Sequence, residues 1–262
     1  MLLAIDIGNS KIGLAVYRGA GEAAERAGDW RIRSDRERAD DEYGVLFRQL
    51  LAETGLTPHE IEHVAISSVV PALSRTLAAM ARRVFSAEPF FAGADTAAGI
   101  KIHYDPSSTL GSDRICSVVG AFARYGGPAI VVDCGTATTF NAVAANGDFL
   151  GGAIAPGLGT SLEALARQAA QLSRVELTAP PQAIGTDTTS ALQSGLIFGY
   201  AGLVDTLVER FREEMHAAKA RVIATGRLAE TVRQASRAIE VVDPWLTLDG
   251  LRLLFERRRK QT

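Results

Sequence analysis

The chain of 262 residues is poor in cysteine and in lysine, and it has no long apolar run. Its two cysteines, Cys116 and Cys134, lie far apart, and neither has a partner at the spacing of metal ligands. This pattern excludes a disulfide framework and a structural zinc site, and it favours a reducing, cytoplasmic setting. The apolar residues that follow Met1 are too few for a secretory signal and predict a first strand instead.

No stretch of the sequence is typical of a membrane or nucleic-acid partner. The longest uncharged stretch, residues 188–204, contains Thr, Ser, Gln and three glycines, which favours a buried helix over a membrane span. The net charge is -2, and the basic residues form no stripe interleaved with aromatic ones. We therefore expect neither a membrane nor a nucleic acid among the partners.

The small number of lysines excludes one common nucleotide-binding motif. A Walker A phosphate loop requires Lys directly after Gly. None of the four lysines, Lys11, Lys101, Lys219 and Lys260, follows a glycine. Any phosphate site in this chain must therefore be built in another way.

A zinc-protease motif is present in letters only. Residues 59–63, His-Glu-Ile-Glu-His, match a pattern that needs two histidines one turn apart on a helix. Thr57 and Glu60 have capping-box spacing and Pro58 suits a first helical position, but a strand is predicted to begin at Val64. Barely one turn of helix is left, which argues against a metalloprotease.

Apolar segments with strand and helix periodicity alternate along the chain, which predicts an α/β fold. The predicted strands are residues 2–7, 12–17, 64–70, 88–91, 129–133, 138–143, 149–155 and 221–225. The predicted helices are residues 73–85, 113–125, 161–171 and 189–216, one with Tyr43 and Phe47 on its apolar face, and a closing one with Leu248 and Leu251. No element is predicted in the polar stretch 19–38.

One short pattern occurs twice: an apolar strand, Asp, any residue, Gly, a small polar residue and a second strand. It is found at residues 5–10 and again at residues 132–137. The repeat predicts two halves of related design. A long polar connection, residues 99–112, is the predicted hinge between them, so we expect domains at residues 1–112 and 113–262.

The repeated turn has a chemical use. A tight hairpin turn with glycine exposes backbone N–H groups and hydroxyls that can bind phosphate, while Asp6 can hold a metal ion or its water. For a single copy, an ordinary β-turn is the simpler explanation. Two copies that face each other across a cleft can hold a triphosphate from both sides. The repeat therefore favours a kinase or a phosphatase.

Residues 111–114, Gly-Ser-Asp-Arg, stand at a predicted helix start after the long connection. Asp113 in this place can accept a proton from a substrate hydroxyl, and Arg114 can fix an anion. Asp in the first turn of a helix is also a routine helix stabiliser. Composition alone leaves both interpretations open.

Together these motifs resemble those of the type III pantothenate kinase family, within the actin, sugar kinase and Hsp70-like superfamily. The resemblance extends from Ile5 to Arg257 and implies two related ribonuclease-H-like domains with a nucleotide cleft between them. The matching residues are 6–10, Tyr104 with 110–114, 132–139, 151–157, 184–185 with Thr188, 193–195, 199–202, and 243–244 with 250–251.

The resemblance implies ATP-dependent phosphorylation of the terminal hydroxyl of pantothenate to 4′-phosphopantothenate, the first step toward coenzyme A. The enzyme would be a homodimer that requires Mg and a monovalent cation, potassium or ammonium. Asp113 would be the catalytic base, Asp133 would bind the monovalent cation, and Asp6 would bind Mg through water. The ATP-binding residues would be Asp6, Ile7, Gly8, Asn9, Ser10, Lys11 and Thr136. The pantothenate-binding residues would be Tyr104, Gly111, Ser112, Asp113, Arg114 and Thr188.

Four positions depart from the family pattern. Ser10 stands where Thr is usual, Ala15 where Gly is usual and Asn141 where Asp is usual. Arg227 occupies the place of a second Gly in a turn close to the adenosine. We expect its large side chain to alter how the base is held and to weaken nucleotide affinity. Neither change alters Asp113 itself, so activity is expected to survive.

Two other functions stay open at this point. Some chains of this family are described as noncatalytic accessory factors for transcription, and an intact fold does not guarantee turnover. The presence of Asp6, Asp113 and Asp133 together favours the enzyme. A polyphosphate or nucleotide phosphatase would bind phosphate with similar turns, but Tyr104 and residues 111–114 favour an organic acceptor over water.

Overall fold

The structure, a computed structural model, describes residues 1–97, 99–168 and 174–261. Within these ranges it contains ten β-strands and seven α-helices. The strands are β1 (Leu2–Ile7), β2 (Lys11–Arg18), β3 (Glu25–Arg33), β4 (His63–Ser68), β5 (Phe90–Phe91), β6 (Ala129–Cys134), β7 (Ala137–Val143), β8 (Phe149–Pro156), β9 (Arg221–Thr225) and β10 (Val241–Val242). The helices are α1 (Asp40–Glu53), α2 (Pro71–Phe85), α3 (Ser112–Tyr125), α4 (Leu158–Gln168), α5 (Thr188–Glu214), α6 (Ala229–Arg233) and α7 (Leu246–Arg259).

The first sheet has the strand order β3-β2-β1-β4-β5. β1 and β2 form an antiparallel hairpin, and β3 pairs antiparallel with β2. β4 pairs in parallel with β1 on its other side, and β5 pairs in parallel with β4. Because parallel strands point the same way, the carboxyl ends of β1 and β4 meet at one edge of the sheet. The turn after β1 lies at this same edge.

The second sheet repeats this design, with the strand order β10-β9-β6-β7-β8. β6 and β7 form the antiparallel hairpin, and β8 pairs antiparallel with β7. β9 and β10 then add in parallel beyond β6. The two sheets match strand for strand, so the prediction of an α/β protein with two related halves is confirmed.

Each sheet has its own apolar core. In the first, Ile5 and Ile66 of neighbouring strands lie in one buried cluster with Tyr43 of α1 and Leu77 of α2. α7 packs on β1 and β4 as well, which explains why the consecutive residues 3–5 and 64–66 of these strands are all apolar and buried. The second core contains Ile130, Val132 and Val222 from the strands and Ile197, Tyr200 and Val204 from α5.

The chain divides into two compact units, at a place that differs from the predicted boundary between residues 112 and 113. The first unit comprises Met1–Gly120 and Leu246–Thr262, and the second comprises Ala121–Trp245. α7 joins the first unit because it packs on β1 and because Gly250 lies directly against the backbone of Cys116 in α3. A side chain at Gly250 would collide with that backbone, so glycine permits the approach. Periodicity predicts α7 as a helix without indicating which unit it joins.

β3 occupies the polar stretch in which the sequence pattern predicts no element. Its charged residues are largely exposed, while Trp30 and Ile32 alternate with them and pack against the first core. An edge strand needs only a short apolar face, and charged residues on it discourage pairing with other chains. The charges that obscure the pattern are thus part of the strand.

Two predicted elements change at their ends. α4 begins at Leu158, earlier than the predicted start at residue 161, and residues 169–171 of the predicted helix lie outside the described residues. The predicted strand at residues 88–91 is reduced to β5. The other predicted strands and helices are present with bounds that differ by a few residues.

The residues that match the zinc-protease pattern do not share a helix. Pro58–Glu60 form a single 3₁₀ turn, and His63 is the first residue of β4. The Thr57 amide donates to the Glu60 carboxylate at 2.7 Å, so the predicted cap of this turn is confirmed. His59 and His63 therefore lack the helical spacing that a metalloprotease requires.

α5 is a continuous helix of 27 residues. Among the described residues it is the one helix long and apolar enough to cross a membrane, a test that core helices of soluble proteins also pass. Its apolar window is 39% buried, so the expectation of a buried helix holds for one face only. Ile197 and Val204 lie on the buried face, whereas Gly195, Gly199 and Gly202 are exposed.

Candidate functional site

The turn between β1 and β2 presents polar residues to solvent. The Gly8 amide donates to the Lys11 carbonyl at 3.0 Å, and a side chain at Gly8 would crowd that carbonyl. Asn9, Ser10 and Lys11 are exposed. The Ile7 side chain is buried in the first core, so this residue has only its backbone to offer a ligand. The result is a tight turn with polar side chains and a lysine around it.

The segment that follows β3 braces this turn. The Ser34 hydroxyl donates to the Gly8 carbonyl at 2.6 Å, and the Ser34 amide donates to the Ser10 carbonyl at 3.1 Å. The exposed Arg36 guanidinium donates to the Asn9 side-chain oxygen at 3.0 Å. Arg36 thus adds a positive charge at the turn, where it would attract an anion.

Asp6 is positioned by the sheet itself. It stands beside Ser67 of β4 in the parallel pairing of β1 with β4. The Ser67 hydroxyl donates to Asp6 Oδ1 at 2.9 Å. Ser67 is fully buried, whereas Asp6 is half-buried. The carboxylate therefore lies at the edge of the core with a fixed hydrogen-bond donor behind it.

Several predicted acceptor residues gather where α3 begins. Ser112 accepts a hydrogen bond from the Ser68 amide at 2.8 Å, and its hydroxyl lies 3.1 Å from the Ser67 hydroxyl. Because Ser112 is buried, these bonds tie α3 to β4. A side chain at Gly111 would collide with the Asp113 carboxylate, so glycine leaves the space in which that carboxylate lies.

Asp113 is the carboxylate that this helix start positions. Its Oδ1 accepts a hydrogen bond from the Arg114 amide at 2.8 Å. Burial raises the pKa of Asp113, and the nearby Arg114 lowers it only in part. Burial and then the carboxylates of Asp6 and Asp113 raise the pKa of the Cys116 thiol, which places both carboxylates near one buried group. A carboxylate with a raised pKa is a better proton acceptor than an ordinary one.

Arg114 is buried and lies over the ring of Tyr104, with 5.5 Å between its guanidinium carbon and the ring centroid. This cation–π contact links the connection at residues 99–112 to α3. The first unit thus brings together six of the predicted residues: Asp6, Tyr104, Gly111, Ser112, Asp113 and Arg114.

The turn between β6 and β7 is the counterpart in the second unit. The Gly135 amide donates to the Ala137 carbonyl at 3.1 Å, and Thr136 is exposed at the tip. The start of α4 braces this turn, because the Gly157 amide and the Thr160 hydroxyl donate to the Thr136 carbonyl at 3.1 and 2.7 Å. Both turns are therefore held from behind, which leaves their tips to a ligand.

Asp133 is placed at the end of β6 as Asp6 is placed at the end of β1. In the parallel pairing of β6 with β9, Asp133 stands beside Thr225. A side chain at Gly226, whose φ is +91°, would run into Asp133 and the Cys134 carbonyl. A carboxylate and a carbonyl oxygen therefore lie close together in the second unit.

Thr188 lies in a different unit from the other predicted acceptor residues. It is the exposed first residue of α5, after Asp187, which accepts a hydrogen bond from the Ser190 amide at 3.0 Å. Thr188 borders a largely apolar cavity of about 440 Å³. It belongs to the second unit, whereas the other predicted acceptor residues belong to the first.

Both aspartates offer carboxylate oxygens, which are ligands for hard cations. No group of three or more His, Cys, Asp or Glu side chains with metal-site geometry is found among the described residues. A single carboxylate, such as that of Asp6, is enough for Mg, because this ion keeps several waters and takes its other ligands from phosphates. Hard oxygen donors are also present at Asp133 and at the Cys134 carbonyl, which lie close together.

Comparison with known proteins identifies the family. The chain matches the family model of type III pantothenate kinase over residues 2–210. Type III pantothenate kinases from Roseiflexus castenholzii and Anaeromyxobacter dehalogenans are 46% and 45% identical to it, over 99% of this chain and 100% of theirs. The chain belongs to the type III pantothenate kinase family.

Two solved structures with this fold share less sequence with the chain. A Campylobacter jejuni protein assigned to the Baf family of transcriptional activators has a TM-score of 0.62 and 16% identity, covering 98% of this chain and 99% of that one. The activator of the 2-hydroxyisocaproyl-CoA dehydratase from Clostridium difficile, with bound ADPNP, has a TM-score of 0.55 and 13% identity, covering 99% and 96%. At such identities the likeness shows the fold alone.

Two departures from the type III pantothenate kinase pattern lie in the second unit. Asn141 is fully buried in β7, and its amide nitrogen donates to the Thr139 hydroxyl at 3.3 Å. Arg227 is exposed just after β9. β7 and β9 are the two neighbours of β6, which carries Asp133. Both departures therefore lie in or next to strands that flank β6, while Asp113 belongs to the first unit.

The sequence motifs do not predict a role for three residues of the site, Ser67, Ser34 and Arg36. Ser67 was hidden in an apolar strand, although the carboxyl end of a parallel strand is where site residues are expected. Ser34 and Arg36 follow β3, the strand that its own charges obscure. Their contacts with the first turn become visible only when β3 is paired with β2.

Gly226→Ala should lower the free energy of unfolding by about 2–3 kcal/mol, because the methyl group is both strained at this φ and crowded by Asp133. Gly126→Ala is the matched control, since Gly126 also lies in the second unit with a φ of +75° but has nothing near its Cβ position. Urea unfolding would compare the two variants. Equal losses would show that Asp133 does not crowd this glycine.

Proposed function

We propose that this chain transfers the γ-phosphoryl group of ATP to the terminal hydroxyl of pantothenate and forms 4′-phosphopantothenate, the first step of coenzyme A synthesis. The junction of β1, β4 and α3 carries the proposal, because Ser67 links Asp6 to the helix start that bears Asp113. A carboxylate for the nucleotide and one for the acceptor on a rigid junction suits a reaction that depends on positioning. Membership in the family supplies the pair of substrates.

The first turn is proposed to bind the phosphates of ATP. Lys11 and Arg36 add positive charge at this tight turn, where a Walker A lysine is absent. Thr136 is proposed to bind phosphate from the corresponding turn of the second unit. The residues assigned to ATP are Asp6, Ile7 through its backbone, Gly8, Asn9, Ser10, Lys11 and Thr136.

Asp113 is proposed as the base for the acceptor. As the hydroxyl oxygen of pantothenate bonds to the γ-phosphorus, the bond to the bridging oxygen of ADP breaks and Asp113 takes the hydroxyl proton. Arg114 suits the pantothenate carboxylate because a guanidinium binds carboxylates through two parallel N–H groups. The remaining residues assigned to pantothenate are Tyr104, Gly111, Ser112 and Thr188.

Two cations are proposed to assist. Mg held through water by Asp6 would neutralise charge on the phosphate oxygens when bound. A monovalent cation, potassium or ammonium, is assigned to Asp133, which the tight packing of Gly226 keeps beside the Cys134 carbonyl. The scarcity of lysine in the chain fits such a use of bound cations.

We further propose that the chain forms a homodimer through the exposed face of α5. Gly195, Gly199 and Gly202 lie one turn apart, and nothing is within 4 Å of a Cβ placed at any of them. Small residues let two helices approach closely.

We also propose a cytoplasmic location. Cys116 and Cys134 are unpaired and buried, which agrees with a reducing compartment. The net charge of -2 supports our expectation that nucleic acid is not a partner. The substrates named above, ATP and pantothenate, are small molecules of that compartment.

The function is tested by ADP release from Mg-ATP with and without pantothenate. Asp113→Asn should lower the pantothenate-dependent rate about tenfold to a hundredfold, because it removes the proton acceptor while keeping the shape. ATP binding, measured by calorimetry, should change little. Release without pantothenate would indicate a phosphatase instead. No release from folded protein would favour the noncatalytic alternative, and an unaltered rate in the variant would remove Asp113 from the mechanism.

Asp133→Ala should abolish the difference in rate between potassium and sodium buffers, because it removes the carboxylate assigned to the cation. Wild-type protein should be faster in potassium. Glu213→Ala, which removes an exposed carboxylate of the same unit, is the control and should keep the response. If Asp133→Ala is still stimulated by potassium, the cation binds elsewhere.

Gly199→Arg should convert the homodimer to a monomer in sedimentation experiments. The position is open within one protomer, so the fold should be retained while two bulky cations oppose each other in the dimer. Ala79→Arg places the same side chain at an exposed position of α2 and should leave the dimer intact. A Gly199→Arg dimer of unchanged stability would exclude this face of α5.

A further inference from the structure

Ser67 is a buried hydroxyl residue that the proposed function assigns neither to ATP nor to pantothenate. It is 0% exposed and stands beside Asp6 in the pairing of β1 with β4. Its oxygen lies 2.9 Å from Asp6 Oδ1 and 3.1 Å from the Ser112 hydroxyl. Ser67 therefore contacts both β1, through Asp6, and α3, the helix that carries Asp113.

The protons of this cluster can be assigned. A serine hydroxyl has one proton, and Ser67 donates it to the Asp6 carboxylate, which has none to give when ionised. Ser67 is then the acceptor for its other neighbours. The Ser112 proton points either to Ser67 at 3.1 Å or to the Ser68 carbonyl at 3.2 Å. In both arrangements the bond from Ser67 to Asp6 is kept.

The other end of the cluster fixes the acceptor helix. The Ser68 amide donates to Ser112, the first residue of α3, at 2.8 Å. Asp113 follows in the chain and is held by the Arg114 amide. A shift of Ser112 would therefore move Asp113 directly, because only one peptide unit separates them.

The second unit has a hydroxyl residue at the corresponding position. Thr225 of β9 stands beside Asp133 as Ser67 of β4 stands beside Asp6. Both hydroxyl residues are buried, with exposures of 3% and 0%. Buried polar side chains at the same place in two related sheets suggest a use for the hydroxyl beyond packing, since an apolar residue would fill such a place more simply.

We propose that Ser67 is a positioning residue for phosphoryl transfer, which holds the Asp6 carboxylate and the start of α3 in one fixed arrangement. The proposal rests on the proposed function for its catalytic consequence. Loss of the hydroxyl would remove this hydrogen-bond donor from Asp6 and, at the same time, one hydrogen-bond partner from Ser112. Displacements of about 1 Å in such sites lower rates by roughly a hundredfold.

The experiment compares Ser67→Ala with Ser67→Thr and with Ser117→Ala. Ser117 is also buried, but its hydroxyl donates only within α3, to the Arg114 carbonyl at 2.9 Å, so this variant controls for the loss of a buried hydroxyl. We expect Ser67→Ala to weaken Mg-ATP binding roughly fivefold or more and to lower kcat roughly tenfold or more. Ser67→Thr, which keeps the hydroxyl, should recover most of both, and Ser117→Ala should resemble the wild type.

Mg-ATP affinity by calorimetry is the deciding measurement, made where urea unfolding shows each variant to be more than about 90% folded, because partial unfolding then changes the apparent dissociation constant by only about a tenth. Equal dissociation constants for Ser67→Ala and wild type would overturn the proposal. Equal losses in Ser67→Ala and Ser67→Thr, or in Ser117→Ala, would do the same by assigning the effect to packing. If Ser67→Ala does not fold, Ser67→Cys keeps the volume without a strong donor and should show the same weakened affinity.

The two proposals fail in different ways. A wild-type chain that binds Mg-ATP but releases no ADP with pantothenate would end the proposed function, while the affinities of the Ser67 variants would still decide the role of this residue. A wild-type chain that binds no Mg-ATP would overturn both.

Discussion

The parallel pairing of β1 with β4 is the constraint on which the first-unit site depends. It sets Asp6 beside Ser67 at the carboxyl edge of the sheet, and no loop has to be ordered to bring them together. The apolar residues of both strands are buried between helices, so any slip in register would cost core packing and would also separate the two side chains. Core stability and site geometry are therefore maintained by the same contacts.

The repeated sheet gives each unit of this lysine-poor chain the same combination of an aspartate and a tight turn. In each unit an aspartate stands next to last in the first strand of the hairpin. The tight turn that follows is held by hydrogen bonds from a neighbouring segment. The braces differ, since the first turn is held by Ser34 after β3 and the second by Gly157 and Thr160 at the start of α4. Only the first unit carries the helix start with Asp113. The two copies of this sheet therefore differ in what surrounds the aspartate and its turn.

Sequence patterns predict the fold class and internal repeat of this molecule. They miss features that depend on contacts between segments distant in sequence. The alternation of apolar strands and helices and the twice-written Asp-x-Gly turn predict the fold class and its internal repeat, because burial on both faces leaves a continuous apolar run. The unit that α7 joins depends on a close contact between Gly250 and Cys116, which no local sequence pattern predicts. Ser67 is missed for the same reason, since its importance comes from the neighbouring strand rather than from its own segment.

The assignment of α7 to the first unit has a consequence for biosynthesis. The second unit is continuous from Ala121 to Trp245, whereas the first unit is completed by a helix that the ribosome makes only afterwards. During translation the second unit can close its core while β1 and β4 still lack the helix that covers one of their faces. The growing chain therefore displays an apolar sheet surface for the time needed to add more than a hundred residues, on the order of ten seconds at usual elongation rates. Such a surface is a natural substrate for nascent-chain chaperones.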